Sequence, residues 1–322
     1  MSKRRISLQQ SNRIQQKQTR YQHRIDLDTN NTLMEGLVIK RYSRLALIED
    51  IQGNRLRCSI RPDIHSLVAG DRVVWQSEGN NQGVILSVSP RTSVLNRPDA
   101  RGVIKPVAAN ITQVMIVVAP IPEISWTLLD SYLIMAETLR LNACIVFNKT
   151  DLPCDEVKHQ ILSIYEPLGY SIVFISKQCA DHDDLLAQSL NGQTSVFVGQ
   201  SGVGKSSIIS RILPSELDIQ TGEVSEHSNL GCHTTSNSCL YHLTGGGHLI
   251  DSPGVRELNL HDLPVRNITD GFREFRAFMS QCQFRNCNHL DAPRCAVQKA
   301  LNEGLVSQAR YDSYVKLAAK FT

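Results

Sequence analysis

The stretch Gly199-Gln200-Ser201-Gly202-Val203-Gly204-Lys205-Ser206 constrains this chain more than any other. Its spacing is G-x-x-x-x-G-K-S. The preceding Thr194-Ser195-Val196-Phe197-Val198 is β-branched and aromatic, which predicts a buried strand. The following Ser207-Ile208-Ile209-Ser210-Arg211-Ile212-Leu213 places its apolar residues at helical spacing. Strand, glycine loop and helix in that order form the context in which this spacing cradles phosphate. Glycines let the backbone wrap tightly and present successive N–H groups, and the helix N-terminus adds partial positive charge. Lys205 would reach the β- and γ-phosphates, and the Ser206 hydroxyl would ligate Mg²⁺. Gly199, Gln200, Ser201, Gly202, Val203, Gly204, Lys205, Ser206 and Ser207 are therefore the phosphate-site candidates, with Lys205 also a catalytic one.

The rest of the chain alternates around this unit. From residue 110 to about 244, apolar strand runs at Val114–Val118, Ala143–Phe147 and Ser171–Ile175 alternate with helical patterns at Trp126–Leu141, Asp155–Leu168 and Asp183–Leu190. That alternation predicts a doubly wound α/β sheet, with ligands at the carboxyl ends of the strands. Residues 33–100 instead carry about five short strands separated by turn chemistry, which suits a small all-β barrel of the OB-fold type. Arg91, Arg97 and Arg101 follow it and are expected to extend a basic surface. Residues 1–32 form a polar tail. Seven of the 34 basic side chains and none of the 31 acidic ones lie in the first 25 residues. A tail of that composition is expected to stay flexible and to contact phosphates on RNA. The longest apolar run, Val114–Ile121, is too short to span a bilayer. Nine cysteines without an apolar leader point to a reducing compartment, the cytoplasm.

Two further motifs complete a nucleotide site. Asn148-Lys149-Thr150-Asp151 follows a strand directly. The Asp151 carboxylate can accept hydrogen bonds from N1–H and N2–H₂ of guanine, a donor pair that adenine lacks. Asn148 can serve the N7 and O6 side, the Lys149 stem can lie over the ring, and Ser176-Lys177 at the end of the next strand can brace the same base. Asp251-Ser252-Pro253-Gly254 ends the strand His248–Ile250. Asp251 would act on Mg²⁺ through water, and the Gly254 N–H would sense the γ-phosphate. Thr234 and Thr235, in a long loop beside the site, each offer a hydroxyl for Mg²⁺. The order is unusual, because the base-reading motif precedes the phosphate loop. One site can form only if the domain, residues 101–260, is circularly permuted.

Residues 261–322 are read as a mostly α module. Within it Cys282-x₄-Cys287-x-His289-x₅-Cys295 supplies three sulfurs and one imidazole. This is a closed donor set for one tetrahedral structural zinc per chain. Helices are expected at 270–279 and from 296 to about 321.

With these motifs in place, the sequence resembles the circularly permuted, small-ribosomal-subunit-dependent GTPases of the RsgA family. The resemblance rests on Asn148–Asp151, Gly199–Ser207, Gly231-Cys232-His233-Thr234-Thr235, Asp251–Gly254 and the Cys/His cluster. It implies slow GTP hydrolysis stimulated by the small ribosomal subunit during late maturation, with binding to ribosomal RNA. Position 255, where common GTPases carry a water-orienting glutamine, is Val255, which cannot orient water. His233 is the internal candidate to replace it as a catalytic group. The alternatives are an RNA-binding module with GTP as a structural ligand, and an ATP-dependent kinase or ATPase, which Asn148–Asp151 opposes. No membrane partner is expected, and with no coiled-coil repeat a monomer is.

Overall fold

The computed structural model describes residues 33–99, 101–179, 181–213, 238–251 and 265–319. They fall into two compact units.

The first unit runs to Ile111 and is all-β. Strands β1 (Leu33–Arg41), β2 (Leu45–Asp50), β3 (Arg55–Ile60), β4 (Arg72–Gly79) and β5 (Gln82–Val88) form a barrel in the order β1-β2-β3-β5-β4. Strand β1 closes it by pairing antiparallel with both β2 and β4, Leu33 to Leu37 lying against Gln76 to Arg72. Strands β3 and β5 pair in parallel. This is the OB-fold connectivity. Alternate residues point inward, so Val38, Ile48, Cys58, Val73 and Ile85 pack around Trp75. The indole N–H donates to the Glu35 carbonyl at 3.2 Å, which satisfies its one polar group.

A hairpin, β6 (Val94–Pro98) and β7 (Ile104–Ala109), follows. Its prolines conceal it in a reading by strand propensity. The sequence places Arg91, Arg97 and Arg101 on one basic surface, and Arg91 does not belong there. Its guanidinium makes a bidentate pair with Asp71, Nε to Oδ1 at 2.6 Å and Nη2 to Oδ2 at 2.8 Å. Asp71 is fully buried and also accepts the Val68 N–H. A charge held by a buried partner acts as a structural pin. Strand β12 (Cys239–His242) joins this unit through antiparallel pairing with β1 at Lys40 and Cys239, and His242 Nε2 lies 2.9 Å from Glu49.

The second unit begins at Thr112 and holds a parallel sheet. Its strands are β8 (Gln113–Val118), β9 (Asn142–Phe147), β10 (Ser171–Phe174) and β11 (Thr194–Val198), in the order β10-β9-β8-β11. All six residues of β8 are buried, as expected for a strand covered on both faces. Crossover helices are α1 (Trp126–Leu139), α2 (Asp155–Tyr165) and α3 (Asp181–Leu190), and α4 (Lys205–Ile212) follows β11. Among the described residues no helix is long and apolar enough to cross a membrane.

The C-terminal part packs on α1. It comprises α5 (Val265–Gly271), a 3₁₀ turn (Arg273–Phe275), α6 (Arg276–Met279), α7 (Ala296–Asn302) and α8 (Gln308–Ala318). The two long helices expected from the sequence are therefore both broken. Phe272 is extended, at φ −86° and ψ 104°, and so both Phe272 and Phe275 turn into the core, their rings 4.9 Å apart. The second break falls at Glu303–Gly304, where Val306 turns inward. Ile134 of α1 shares one core with Ile268, Phe272, Phe275 and Tyr314. At the centre of this contact Arg310, 1% exposed, donates Nη1 to Asp130 at 2.5 Å and grips Glu274 with Nε and Nη2 at 2.7 and 3.1 Å. The Tyr165 hydroxyl donates to the same Asp130 oxygen at 2.8 Å.

Candidate functional site

The glycine loop leaves the buried end of β11 and closes on α4. Gly199 has φ +140°, and a β-carbon there would stand 2.2 Å from the Val117 carbonyl oxygen of β8. Gly204 has φ +99°, and a β-carbon there would stand 2.3 Å from Asn148 Nδ2. Both positions combine a left-handed backbone with contact that only hydrogen permits. Gly204 also starts α4 with no side-chain cap, which leaves that helix end suited to an anion. Lys205 is 8% exposed, and its ammonium donates to the carbonyls of Gly199 and Gln200, so the charge lies within the loop.

The Asn148–Asp151 motif meets this loop directly. Asn148, 3% exposed, donates Nδ2 to the Val203 carbonyl at 2.8 Å across 55 residues. Lys149, at φ +63°, donates Nζ to the carbonyls of Gly202 at 2.8 Å and Ile121 at 2.7 Å. Strands β9 and β11, which lead into the two motifs, flank β8 and both run parallel to it, so both motifs leave the same carboxyl end of the sheet. Thr150 donates its N–H and its hydroxyl to the Ile175 carbonyl, both at 3.2 Å, which ties the motif to the end of β10. Asp151 is exposed.

The segment Ile121–Ser125 was not legible as part of the site. Gln200 accepts the Ser125 N–H at 3.0 Å and donates to the Glu123 carbonyl at 3.2 Å. The Gln200 side chain thus braces the loop from outside. His182 and Arg211 were missed as well. Ser176, 4% exposed, donates its N–H to His182 Nδ1 at 3.1 Å, and its carbonyl accepts from Arg211 Nη1 at 3.3 Å. No local motif marks either residue. Asp251 ends strand β13 (His248–Asp251) and is half-buried. His233, Thr234, Thr235 and Gly254 lie outside the described residues.

A second cluster forms in the C-terminal part. One donor atom each from Cys282, Cys287, His289 and Cys295 lies within 4.8 Å of every other. His289 Nδ1 stands 3.5 Å from the Cys282 sulfur and 3.4 Å from the Cys295 sulfur. Bonds of about 2.3 Å to sulfur and 2.0 Å to nitrogen at the tetrahedral angle give a sulfur–nitrogen edge of about 3.5 Å, so these two distances fit a tetrahedral ion. Burial pushes the His289 imidazole down, toward the neutral form that ligates. Burial also pushes the Cys287 thiol up to about 11, a direction that a bound cation reverses. The surrounding donors are placed to orient the ligands. The Ala296 N–H points to the Cys282 sulfur at 3.4 Å, and the Tyr311 hydroxyl donates to the His289 carbonyl at 2.7 Å.

The sequence model of the RsgA GTPase family matches residues 88–261. A protein of Haemophilus influenzae (strain 86-028NP), named small ribosomal subunit biogenesis GTPase RsgA, is 43% identical over 332 residues, covering 98% of this chain and 95% of the relative. One from Vibrio vulnificus (strain YJ016), named small ribosomal subunit biogenesis GTPase RsgA 1, is 45% identical over 88% of this chain and 82% of its own length. Among solved structures, YjeQ from Thermotoga maritima superposes with a TM-score of 0.75 at 30% identity, covering 90% of this chain and 98% of that one. YloQ, described as a circularly permuted GTPase, superposes with a TM-score of 0.73 at 28% identity over 91% and 97%.

Proposed function

The chain belongs to the RsgA GTPase family and is a GTPase, and from that premise we propose that it hydrolyses GTP slowly alone, faster on the small ribosomal subunit, and leaves that subunit on hydrolysis late in its maturation. The observation that carries the nucleotide reading is the junction of Asn148 and Lys149 with the carbonyls of Val203 and Gly202. It makes one site for base and phosphates. In this reading Asp151 takes the N1–H and N2–H₂ of guanine. Of the three consecutive amides at 176–178, those of Ser176 and Gln178 already donate within the protein, to His182 and to the Ser176 hydroxyl. The Lys177 N–H makes no such bond among the described residues and serves O6. Lys205 and the loop amides hold the phosphates. Ser206 and one of Thr234 or Thr235 hold Mg²⁺, with Asp251 acting through water. The cation neutralises charge on the β- and γ-phosphates.

The tail 1–32, the barrel 33–100 and the helical domain 261–322, its Cys₃His set holding zinc, dock on ribosomal RNA, and domain 101–260 carries the GTPase site. The protein works as a monomer in the cytoplasm. The deciding measurement is GTP turnover with and without purified small subunits. Marked stimulation is expected, and equal turnover would leave only a module that holds GTP as a structural ligand. Asp151→Asn should weaken GTP binding by about 30- to 150-fold, because two charge-assisted hydrogen bonds are replaced by a mismatched amide. Competition between GTP, ATP and xanthosine triphosphate reads this, with the xanthine nucleotide gaining. His233→Ala should slow subunit-stimulated hydrolysis by about 100-fold, the scale of a water-orienting or basic group. Stimulated turnover that stays at the wild-type level removes His233 from the reaction.

A further inference from the structure

Ser176 is held on every polar group it has. Its N–H donates to His182 Nδ1 at 3.1 Å, its carbonyl accepts from Arg211 Nη1 at 3.3 Å, and its hydroxyl accepts the Gln178 N–H at 3.3 Å. The two side chains come from different helices. His182 stands at the start of α3, and Arg211 stands in the last turn of α4, the helix that begins in the phosphate loop. They are joined, because Arg211 Nη2 lies 2.7 Å from Asp183, the residue after His182. A planar guanidinium can serve a carbonyl and a carboxylate at once, which a lysine ammonium on a flexible stem does poorly. A histidine that accepts at Nδ1 carries its proton on Nε2 when neutral.

We propose that His182 and Arg211 are positioning residues for base recognition. They clamp the Ser176 peptide so that the next amide, that of Lys177, stands fixed against O6 of a bound guanine. The inference rests on the GTP site proposed above. The physical reason is preorganisation. An exposed turn at a strand end samples several orientations, and an N–H that must be ordered on binding contributes less affinity than one already in place. The clamp also ties the base side to the phosphate side, since Arg211 and Lys205 belong to one short helix.

The test pairs variants with a ligand altered at one atom. 6-Thioguanosine diphosphate keeps the N1–H and N2 donors and replaces O6 with a larger, weaker acceptor. Wild-type protein should bind it about ten-fold more weakly than GDP, the scale of one well-placed hydrogen bond. His182→Ala should bind GDP about five-fold more weakly, with its preference for oxygen over sulfur reduced to about two-fold or less. Arg211→Ala should behave in the same way. His182→Asn, whose Oδ1 takes the place of Nδ1 as acceptor, should restore both affinity and preference. A His182→Ala protein that binds GDP weakly but keeps the full preference has only lost general support, and that result overturns the proposal. Unchanged GDP affinity overturns it, and so does a wild-type protein indifferent to the substitution at position 6. A wild-type protein with no preference for GDP over ADP would instead overturn the GTP site itself.

Discussion

Chelating the zinc proposed for the Cys₃His cluster is expected to unfold the segment from Cys282 to Cys295 while the helices around it remain. This segment holds no helix or strand and buries only His289 and Cys295, so it has little core of its own. Three thiols, one of them pushed up to about 11 by burial, and a buried imidazole crowd within 4.8 Å of one another. Without a cation that arrangement has only weak hydrogen bonds to sulfur, such as that from the Ala296 N–H, to offset its desolvation. Structural zinc typically contributes about 10–16 kcal/mol of apparent binding free energy to small modules, so we expect at least about 5 kcal/mol of local stability to be lost. The helices keep the aromatic core of Phe272, Phe275 and Tyr314, which also packs on Ile134. Hydrogen exchange with and without a chelator reads the effect. Protection should fall across residues 282–295 and hold in α1 and α8. Cys287→Ser should reproduce the loss, and metal analysis should find one zinc per chain. Ligation requires deprotonated sulfur, so affinity falls as pH falls. Undiminished protection after complete chelation would show that the cluster does not hold this segment together.

Arg310→Ala will destabilise the second unit by about 3–5 kcal/mol, the cost of leaving buried carboxylates without their cation. Asp130 is fully buried, and burial already pushes its carboxyl up, opposed chiefly by the Arg310 charge. Deleting that charge leaves burial opposed only by the hydrogen bonds from Ser313 and Tyr165. The sign with pH follows. A carboxyl raised above its unfolded value favours the fold when protonated, so the deficit should be smallest below about pH 4 and should grow as pH rises. Urea unfolding at several pH values reads this. Asp130→Asn introduced into the Arg310→Ala protein should recover part of the loss, because a neutral amide can be buried more cheaply and can still accept from Tyr165. A deficit that does not change with pH would mean that lost packing, rather than stranded charge, dominates. The outcome bears on function, because this cluster fastens α8 to α1, the helix that follows the Ile121–Ser125 brace of the phosphate loop.

Much of the site was legible because its chemistry is local. The phosphate loop is eight consecutive residues whose glycines are required by backbone shape, as Gly199 and Gly204 show. The Asn148–Asp151 motif sits at a strand end that hydrophobic pattern alone locates. The Cys/His ligands fall within fourteen residues, so their spacing speaks without a fold. The reading went astray where local pattern meets a distant partner. Arg91 looks like surface charge until Asp71 is seen beneath it. The helices expected at 270–279 and 296–321 continue by propensity, and burial of Phe272 and Val306 breaks them.

The sequence by itself determined where the candidate chemistry of this protein lies: a glycine loop of phosphate-binding spacing, the Asn148–Asp151 motif, a Cys₃His donor set, and an order of motifs that only a permuted domain can close. Each is encoded in residue type and short spacing, where backbone geometry leaves few choices. Only the tertiary structure decided which polar groups hold that chemistry in place. His182 and Arg211 on Ser176, Gln200 on the 121–125 segment, and Arg310 between Asp130 and Glu274 are matched across up to 180 residues. A side chain's role there depends on what burial places beside it, and burial belongs to the whole fold.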